Sequence, residues 1–487
     1  MSLYAGFDCS TQSLSVVVID AGRRTVVYRD SLPLAEPFVA NDQVVVHASP
    51  EMWAAALETM LGRVAANVDG RDIRAISGSA QQHGSVYCGP HPDTLTRETS
   101  PIWMDSSTAR ECAEIETALG GASAVALLTG SRAFPRFTGP QIRKFWRDEP
   151  EMYARTARIH LVSSFLASRL TGAHAPVDHA DASGMNLMDI RTREWSAAAM
   201  AATAPGLREK LPPLVPSSTV IGTLGARWQE RFELPPLRIV AWSGDNPCSM
   251  IGTGLVHEGQ LAVSLGTSDT IFGPMREPRV SSDGTGHVFA SALGEYMGIT
   301  VFRNGSLARE RVRDPFGWTW DDFSKALRQT PAGNGGALML PWFEPEITPP
   351  VRQPSVVRVG LDRATPAQEA RAIIEAQMVA LSAHSAWMGV TPRAILATGG
   401  AAANRDILQV MADVFAADVH QFHTRESAAL GAALRAWQAD SGLDWPTVVR
   451  GFATPPASGR LRPIPEHVRT YQDLQRRYMA LEASALA

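Results

Sequence analysis

Two polar side chains follow a short apolar run in the stretch A-W-S-G-D-N at residues 241–246. The apolar run at 237–241 predicts a buried strand, and Gly244 predicts a tight turn that ends it. Asp245 and Asn246 would then lie at the tip of that turn. A carboxylate on a loop that a sheet holds in place suits a general base. Because Asp and Asn also stabilise ordinary turns, this stretch alone leaves both interpretations open.

A second group of polar residues has the chemistry of a sugar site. Gln82 and His83 fall on a loop between two predicted strands. Amides and an imidazole both donate and accept hydrogen bonds, as sugar hydroxyls do. Asp105 follows another short apolar segment, and Arg136 stands beside aromatic residues. A loop histidine with a structural hydrogen bond and a solvated surface arginine are the alternatives.

Residues suited to phosphate binding occur at the first turn of the chain. Asp8, Ser10 and Thr11 follow a predicted strand at 3–7 and precede another at 14–19. Backbone N–H groups and small hydroxyls at such a tip can hold phosphate oxygens. Asp8 would repel a bare phosphate, but it suits Mg²⁺ or a metal-bound water. An ordinary hairpin is the alternative for this stretch in isolation.

The same strand–turn–strand pattern returns in the second half of the chain. S-L-G-T-S at 264–268 aligns with D-C-S-T-Q at 8–12, so Thr267 falls on Thr11 and Gly266 lies in the second turn. Two such units far apart in sequence predict a duplicated domain. Two related domains that face each other would hold the phosphates of one nucleotide from opposite sides.

A third pattern indicates where the rest of a nucleotide would bind. A predicted strand at 394–397 ends in Gly399 and Gly400, and Asn404 is placed to cap the helix that follows. A strand, a glycine turn and a helix N-terminus are typical of nucleotide sites. The motif is neither a P-loop nor the glycine-rich loop of protein kinases.

Length and composition narrow the classes of protein to which this sequence can belong. A chain of 487 residues is too long for one core, so we expect two large domains, at 1–243 and 244–487. The formal net charge of −4 gives no reason to expect nucleic acid or an anionic membrane as partner. Four scattered cysteines indicate reduced thiols rather than a disulfide framework. The absence of a signal-like start and of a long apolar stretch favours a cytoplasmic protein.

Taken in order, these motifs resemble the FGGY family of carbohydrate kinases over nearly the whole chain. The most specific segments are S-G-S-A-Q-Q-H-G-S-V-Y (77–87), P-I-W-M-D-S-S-T-A (101–109), D-A-S-G-M-N-L (181–187), S-G-D-N-P (243–247), V-S-L-G-T-S-D-T (263–270) and A-T-G-G-A (397–401). The resemblance implies two actin-like ATPase (ribonuclease H-like) α/β domains with a catalytic cleft between them. It also implies ATP- and Mg²⁺-dependent phosphorylation of a pentulose, D-xylulose, on its 5-hydroxyl.

The resemblance carries roles to individual positions. Asp245 matches the catalytic base, and Asp8 matches the metal-binding acid of the first phosphate turn. The residues that match the sugar site are Gln82, His83, Asp105, Arg136, Asp245 and Asn246. The residues that match the ATP site are Ser10, Thr11, Gly266, Thr267, Trp320, Gly399, Gly400 and Asn404. Many family members have glycine where this chain has Ser10, so the backbone there is expected to curve differently.

Several alternatives stay open at this point. One is a kinase for another ketose or polyol, such as ribulose or glycerol, because pocket shape is not visible in sequence. Another is a nucleotide-driven conformational protein on the same fold, since fold does not fix function. A catalytically silent sugar sensor is disfavoured by Asp245. The sequence does not give the quaternary state, and a homodimer is left open.

Overall fold

The computed structural model describes residues 2–40, 44–422, 426–453 and 459–487, and the chain forms two α/β halves around separate mixed sheets. Runs of apolar residues make central strands that are buried on both faces. The strands of the first half are β1 (Leu3–Cys9), β2 (Ser13–Asp20), β3 (Thr25–Pro33), β4 (Phe38–Ala40), β5 (Val45–Ala48), β6 (Ile73–Ala80), β7 (Ser85–Cys88), β8 (Ser100–Pro101), β9 (Arg158–Leu161), β10 (Val177–Asp178), β11 (Met188–Asp189), β12 (Glu194–Trp195), β13 (Leu214–Val215), β14 (Val220–Thr223), β15 (Arg238–Val240) and β16 (Ser243–Gly244).

The second half contains the second large sheet. Its strands are β17 (Gln260–Leu265), β18 (Asp269–Met275), β19 (His287–Ala290), β20 (Tyr296–Phe302), β21 (Leu338–Trp342), β22 (Ser355–Val359), β23 (Ala394–Thr398), β24 (Asp418–Gln421) and β25 (Arg460–Leu461). The order in the first sheet is β14-β15-β6-β1-β2-β3, with β16 also paired to β6. The order in the second sheet is β19-β20-β18-β17-β23-β24-β25.

Helices cover both sheets, and several begin at the caps that the sequence provides. Ser49 caps the first helix and accepts a hydrogen bond from the Met52 N–H. The helices are α1 (Pro50–Asn67), α2 (Ala109–Ala118), α3 (Ala122–Thr129), α4 (Thr138–Asp148), α5 (Pro150–Arg155), α6 (Val162–Thr171), α7 (His179–Ala182), α8 (Ala197–Thr203), α9 (Leu207–Lys210), α10 (Ala226–Phe232), α11 (Asp245–Gly252), α12 (Ser306–Arg313), α13 (Trp320–Gln329), α14 (Pro366–Ser385), α15 (Arg405–Phe415), α16 (Ser427–Ser441), α17 (Trp445–Val449) and α18 (Pro465–Leu486). Over the described ranges, no single helix has the length and apolar composition needed to cross a membrane, although the bent pair α2 and α3 meets both criteria together.

The two sheets repeat one arrangement of strands. In the first, β1 pairs antiparallel with β2 and parallel with β6. In the second, β17 pairs antiparallel with β18 and parallel with β23. Both hairpins close at their polar turn, with the last pairs Cys9–Leu14 and Leu265–Asp269. The duplicated two-domain α/β fold that the repeated turns predicted is therefore confirmed.

The two halves are joined by a helix that returns across the junction. Helix α16 belongs to the second half in sequence, yet it packs on β1, β2 and β6 of the first sheet. The approach requires Gly6, because a Cβ there would lie 2.1 Å from the backbone oxygen of Ala429. Helix α11 packs against the same α16. One buried apolar cluster consequently contains residues of both sheets, such as Tyr4 and Leu396, together with Ile251 of α11.

The predicted boundary between residues 243 and 244 falls inside a strand. Ser243 and Gly244 form β16, which continues the first sheet beside β6. Helix α11 follows directly and carries the chain towards the second half. The boundary stays a prediction.

Candidate active site

Asp245 and Asp8 emerge from two strands that flank the end of β6. Cys9 and Gly244 both pair with Ala80 in β6. Their Cα atoms are therefore two strand spacings apart, about 10 Å. Asp8 immediately precedes Cys9, and Asp245 immediately follows Gly244, so both carboxylates lie at the same edge of the sheet.

The tight turn predicted at Gly244 is wrong. Gly244 is extended, with φ −75° and ψ 160°, and Asp245 is the first residue of helix α11. Glycine is needed there for space: a Cβ would lie 2.5 Å from Cγ of Gln82 and 2.8 Å from Oδ1 of Asp181. Asp245 is consequently fixed by a strand on one side and a helix on the other, and not by a loop.

The electrostatic environment of these two acids favours their protonated forms. Burial raises the pKa of Asp245 to about 7, and the negative charge of Asp8 adds to this shift. Burial likewise raises the pKa of Asp8 to about 6. Oδ1 of Asp8 is buried and accepts no hydrogen bond from the described residues. A carboxyl group with a pKa near neutrality suits proton transfer, and an unpaired carboxylate oxygen suits a cation.

A hydrogen-bonded chain connects Asp245 to the loop after β6. Oδ1 of Asp245 accepts from the backbone N–H of Asn246 at 2.8 Å. The side-chain amide of Asn246 donates to Oε1 of Gln82 at 2.9 Å. The predicted base is thereby held against a residue of the predicted sugar loop.

His83 follows Gln82, the last residue of these hydrogen bonds, and has a positive φ angle. Its φ is +72°, in the left-handed region that few non-glycine residues occupy, with Asn, Asp and His the most frequent among them. Nδ1 lies 2.9 Å from the carbonyl oxygen of Gly184, so Nδ1 carries the proton and Nε2 is left as an acceptor. Burial, followed by the charge of Arg136, lowers the pKa of His83 to about 3. His83 is therefore a neutral imidazole that can accept a hydrogen bond from a hydroxyl.

Arg136 lies between aromatic rings near His83. Its guanidinium carbon is 4.9 Å from the ring centre of Phe134 and 5.6 Å from that of Phe137. One terminal nitrogen donates to Nε2 of His287 at 2.8 Å. Burial lowers the pKa of Arg136 to about 10, with no carboxylate acting against it. A partly buried cation without an acid partner retains N–H donors for a ligand.

Asp105 has contacts that differ from those of the other sugar-site candidates. Oδ1 accepts from the backbone N–H and the hydroxyl of Ser107, at 2.9 and 2.6 Å. Oδ2 accepts from the Val46 N–H at 3.0 Å and lies 3.5 Å from Nε2 of His47. Burial raises the pKa of Asp105, but the hydrogen bonds from His47 and Ser107 outweigh burial and lower it. Its sugar-binding role stays a prediction, and these contacts do not favour it.

The predicted first phosphate turn is tied to the predicted sugar loop by Thr11. Its hydroxyl accepts from Nε1 of Trp103 at 2.8 Å and lies 3.5 Å from Oε1 of Gln81. Ser10 closes the turn, since its hydroxyl accepts from the Ser13 N–H at 3.1 Å. The φ of Ser10 is not positive, so serine fits this position without backbone strain. From the sequence, the backbone is expected to curve differently at Ser10, where many family members have glycine. The observed φ gives no reason for such a difference.

The predicted second phosphate turn is held by hydrogen bonds and by a buried ion pair. The carbonyl of Gly266 accepts from the Ser306 N–H at 2.8 Å and from Arg309 at 3.2 Å. Arg309 is fully buried and binds both carboxylate oxygens of Asp269, at 2.8 and 3.1 Å. These contacts fix the position of Gly266 and Thr267 in the wall of a cavity.

That cavity has a volume of about 840 Å³ and collects the predicted ATP-site residues of the second half. Its lining includes Gly266, Thr267, Trp320, Gly400 and Asn404. Asn404 caps α15, as predicted, by accepting from the N–H groups of residues 406 and 407. The size suits a cofactor-sized ligand.

Gly399 borders the same region, and its conformation excludes other residues. Its φ is +85°, and a Cβ would lie 2.5 Å from the carbonyl oxygen of Leu265 in β17. The glycine therefore lets the turn after β23 pass directly over the strand that ends in the phosphate turn. Trp320 opens α13 opposite this turn, with 39% of its surface exposed and Arg313 4.3 Å above its ring.

Two residues of this region were not assigned roles from the sequence. Asp181 is buried beside Gln82, and its Oδ2 accepts a hydrogen bond from Ser163. Burial, followed by the charge of Asp178, raises the pKa of Asp181 well above its usual value. Asp181 begins the segment D-A-S-G-M-N-L at 181–187, which is one of the segments that carry the family resemblance. The sequence therefore held a signal for a role of Asp181. His287 lies in β19, and nothing in its local sequence indicates proximity to Arg136.

This pair of related α/β halves, each with a polar hairpin turn at the end of its sheet, is the architecture of actin-like ATPases. Two family models match the chain: the N-terminal domain of the FGGY family of carbohydrate kinases over residues 3–252 and the C-terminal domain over residues 261–439. The protein belongs to the FGGY family of carbohydrate kinases. It is accordingly a phosphotransferase that uses ATP and acts on an alcohol group.

Individual relatives agree with this assignment. The chain is 39% identical to xylulose kinase from Mus musculus, over 99% of this chain and 94% of that protein. It is 41% identical to xylulose kinase 2 from Arabidopsis thaliana, over 89% of this chain and 87% of that protein. A crystal structure of a xylulose kinase from Brucella ovis superposes with a TM-score of 0.85 at 25% identity, covering 100% of both chains.

Proposed function

We propose that this enzyme transfers the γ-phosphoryl group of ATP to the 5-hydroxyl of D-xylulose, forming D-xylulose 5-phosphate, with Asp245 as general base. The observation that carries the proposal is the position of Asp245 between two sets of residues. On one side, hydrogen bonds join it to Asn246 and Gln82 of the sugar loop. On the other side, Asp8 and the first phosphate turn lie across a single strand.

Proton transfer from the sugar hydroxyl is the step that Asp245 can perform. A base with a pKa of about 7 is substantially ionised near neutral pH and still basic enough to accept a proton. As the hydroxyl oxygen attacks the γ-phosphorus, its proton passes to a carboxylate oxygen of Asp245, and ADP leaves. Positioning and charge stabilisation supply most of the rate enhancement in such transfers.

The sugar would be held by side chains of complementary hydrogen-bonding type. Nε2 of His83 offers an acceptor, because Nδ1 is committed to Gly184. Arg136 offers N–H donors, since His287 occupies only one of its nitrogens. Asn246 and Gln82 complete the wall beside Asp245. A ketose presents hydroxyls that both donate and accept, so this set of partners fits it.

The ATP assignments rest on the cavity of the second half. Gly266 and Thr267 in its wall suit phosphate oxygens, Gly400 and the neighbouring Gly399 leave room for the adenosine, and Trp320 offers a partly exposed ring. Ser10 and Thr11 of the first turn face the same phosphates in this proposal. Two turns from two domains would share one triphosphate.

Asp8 is the residue that we propose for Mg²⁺. No cluster of three or more acidic, His or Cys side chains suited to a metal occurs in the part of the chain that the structure describes. Mg²⁺ sites often have only one or two carboxylates, with substrate phosphates and waters as the other ligands. The unpaired buried Oδ1 of Asp8 fits such a site. When bound, the ion would offset the negative charge of the phosphate oxygens.

The choice of D-xylulose is supported by the names of relatives at 39% and 41% identity. A cytoplasmic location and the absence of nucleic-acid or membrane partners stay predictions, and a homodimer stays open.

The test is ADP release by purified enzyme with Mg²⁺-ATP and D-xylulose, D-ribulose, glycerol or no sugar. We expect release to depend on sugar, with the highest kcat/KM for D-xylulose and a pentulose phosphate as product. Asp245→Asn, which keeps the size of the side chain, should lose roughly 10²–10⁴ in turnover. Sugar-independent ADP release would refute the kinase function, and an equal kcat/KM for ribulose would refute the substrate assignment.

A further inference from the structure

His287 makes the contact that fixes Arg136, and it comes from the other half of the protein. Arg136 precedes α4 of the first half, whereas His287 begins β19 at the edge of the second sheet. The imidazole is almost fully buried, with 3% of its surface exposed. Its ring packs against Phe134 and Phe137, the two rings that also flank the guanidinium.

The chemistry of this pair allows only one arrangement of protons. A guanidinium has donors and no acceptor, so Nε2 of His287 must be the unprotonated nitrogen at 2.8 Å from Arg136. Nδ1 then carries the proton. Nδ1 is buried and has no hydrogen-bond partner among the described residues. The imidazole is therefore neutral, and it orients Arg136 without cancelling its charge as a carboxylate would.

Strand β19 also contacts the segment that holds His83 in place. The backbone N–H of Ala290 in β19 donates to the Ser183 hydroxyl at 2.9 Å. Ser183 precedes Gly184, whose carbonyl accepts from His83. The N–H of Val288 donates to the carbonyl of Gly130 at 2.9 Å. Strand β19 is thus docked on the first half beside both predicted sugar-binding side chains.

We propose that His287 is a positioning residue of the sugar site, which accepts from Arg136 and holds the guanidinium in place for a sugar hydroxyl. The inference rests on the proposed function, because it assigns Arg136 to the sugar. It adds that the sugar site is complete only when the edge of the second sheet is docked on the first half. Sugar recognition is then shared by the two domains and is not a property of the first domain alone.

A double-mutant cycle on kcat/KM for D-xylulose tests the proposal. His287→Phe keeps a ring but removes the acceptor, and we expect kcat/KM for sugar to fall about tenfold to hundredfold, as for loss of a hydrogen bond to a charged group. The KM for ATP should change less than twofold. His287→Gln retains an acceptor oxygen and should recover most of the loss. His257→Gln, the same exchange at an exposed histidine, is the matched control.

The decisive measurement is His287→Phe in an Arg136→Ala background. If His287 acts through Arg136, adding His287→Phe to the Arg136→Ala variant should change kcat/KM for sugar less than twofold. An equal loss in both backgrounds, or a KM for ATP that rises in step, would reduce His287 to a structural residue and overturn the proposal. A His287→Phe variant with the kcat/KM for sugar of the wild type would refute the role of His287 and leave the proposed function untouched. A wild-type enzyme without sugar-dependent ADP release would refute the proposed function as well.

Discussion

Removing the charge of Asp245 should stabilise the folded enzyme, and the gain should grow with pH. We expect Asp245→Asn to unfold at higher urea concentration than wild type at pH 8. The carboxylate is costly because it is buried near Asp8, which raises its pKa from 3.8 to about 7. The Asn side chain keeps an oxygen that can accept from the Asn246 N–H, so the main local hydrogen bond is retained.

The direction in which the free energy of unfolding changes with pH follows from the protons bound by the folded and unfolded states. Between about pH 4 and pH 7 the folded protein keeps the proton of Asp245, whereas the unfolded chain has released it. The free energy of unfolding of the wild type therefore falls as pH rises through this window and levels off above the folded pKa. The Asn variant lacks this titration. With 1.36 kcal/mol for each unit of pKa shift, the difference in stability should widen by about 2–3 kcal/mol between pH 5 and pH 8.

The assay is urea unfolding at pH 5, 6, 7 and 8, followed by circular dichroism and by tryptophan fluorescence. The buffers should contain a chelator and no nucleotide, because a cation at Asp8 would lower the pKa of both acids. Asp362→Asn, the same exchange at an exposed acid, is the control. A difference for Asp245→Asn that is constant from pH 5 to pH 8, or a variant less stable than wild type at pH 8, would refute the reasoning.

Four further outcomes are expected. At saturating ATP, kcat/KM for sugar should fall as the pH is lowered, approaching tenfold per pH unit below the pKa of Asp245 in the ATP complex, because Asp245 must be ionised to accept a proton; a flat profile from pH 5.5 to 8 would contradict this. His83→Ala should cost roughly 1–3 kcal/mol in sugar binding by calorimetry and leave ATP binding unchanged. Trp320→Ala should weaken binding of an ATP analogue by about 0.5–1.5 kcal/mol without affecting sugar, the reverse selectivity. Sugar and a non-hydrolysable ATP analogue together should reduce the radius of gyration in X-ray scattering, and each should tighten the other by the same factor; independent affinities would exclude coupled closure.

The parts of the fold that depend on local sequence were predictable. The similarity of residues 8–12 and 264–268 predicted two equivalent hairpins, and the pairing of β1 with β6 and of β17 with β23 confirms the duplication. Caps such as Asn404 were also visible, because a cap depends on residues within one turn.

Features that depend on the approach of distant segments were not predictable. Gly244 suggested a turn, but its role is to leave space for Gln82 and Asp181, which are far from it in sequence. His287 reaches Arg136 only because the edge of the second sheet docks on the first half. The contact of Asp105 with Val46 likewise follows from tertiary packing. None of these distances is encoded in a spacing along the chain.

The position of α16 on the first sheet sets an order for folding during protein synthesis. The first sheet is complete in sequence at Gly244, but the helix that covers β1 and β6 ends at Ser441. At about 5–20 residues per second, a ribosome needs roughly 10–40 s to make the intervening segment of about 200 residues. During that interval the nascent first half exposes an apolar face that has no cover of its own. A chaperone that binds apolar surfaces should therefore capture ribosome-bound chains that stop near residue 300 far better than the finished chain.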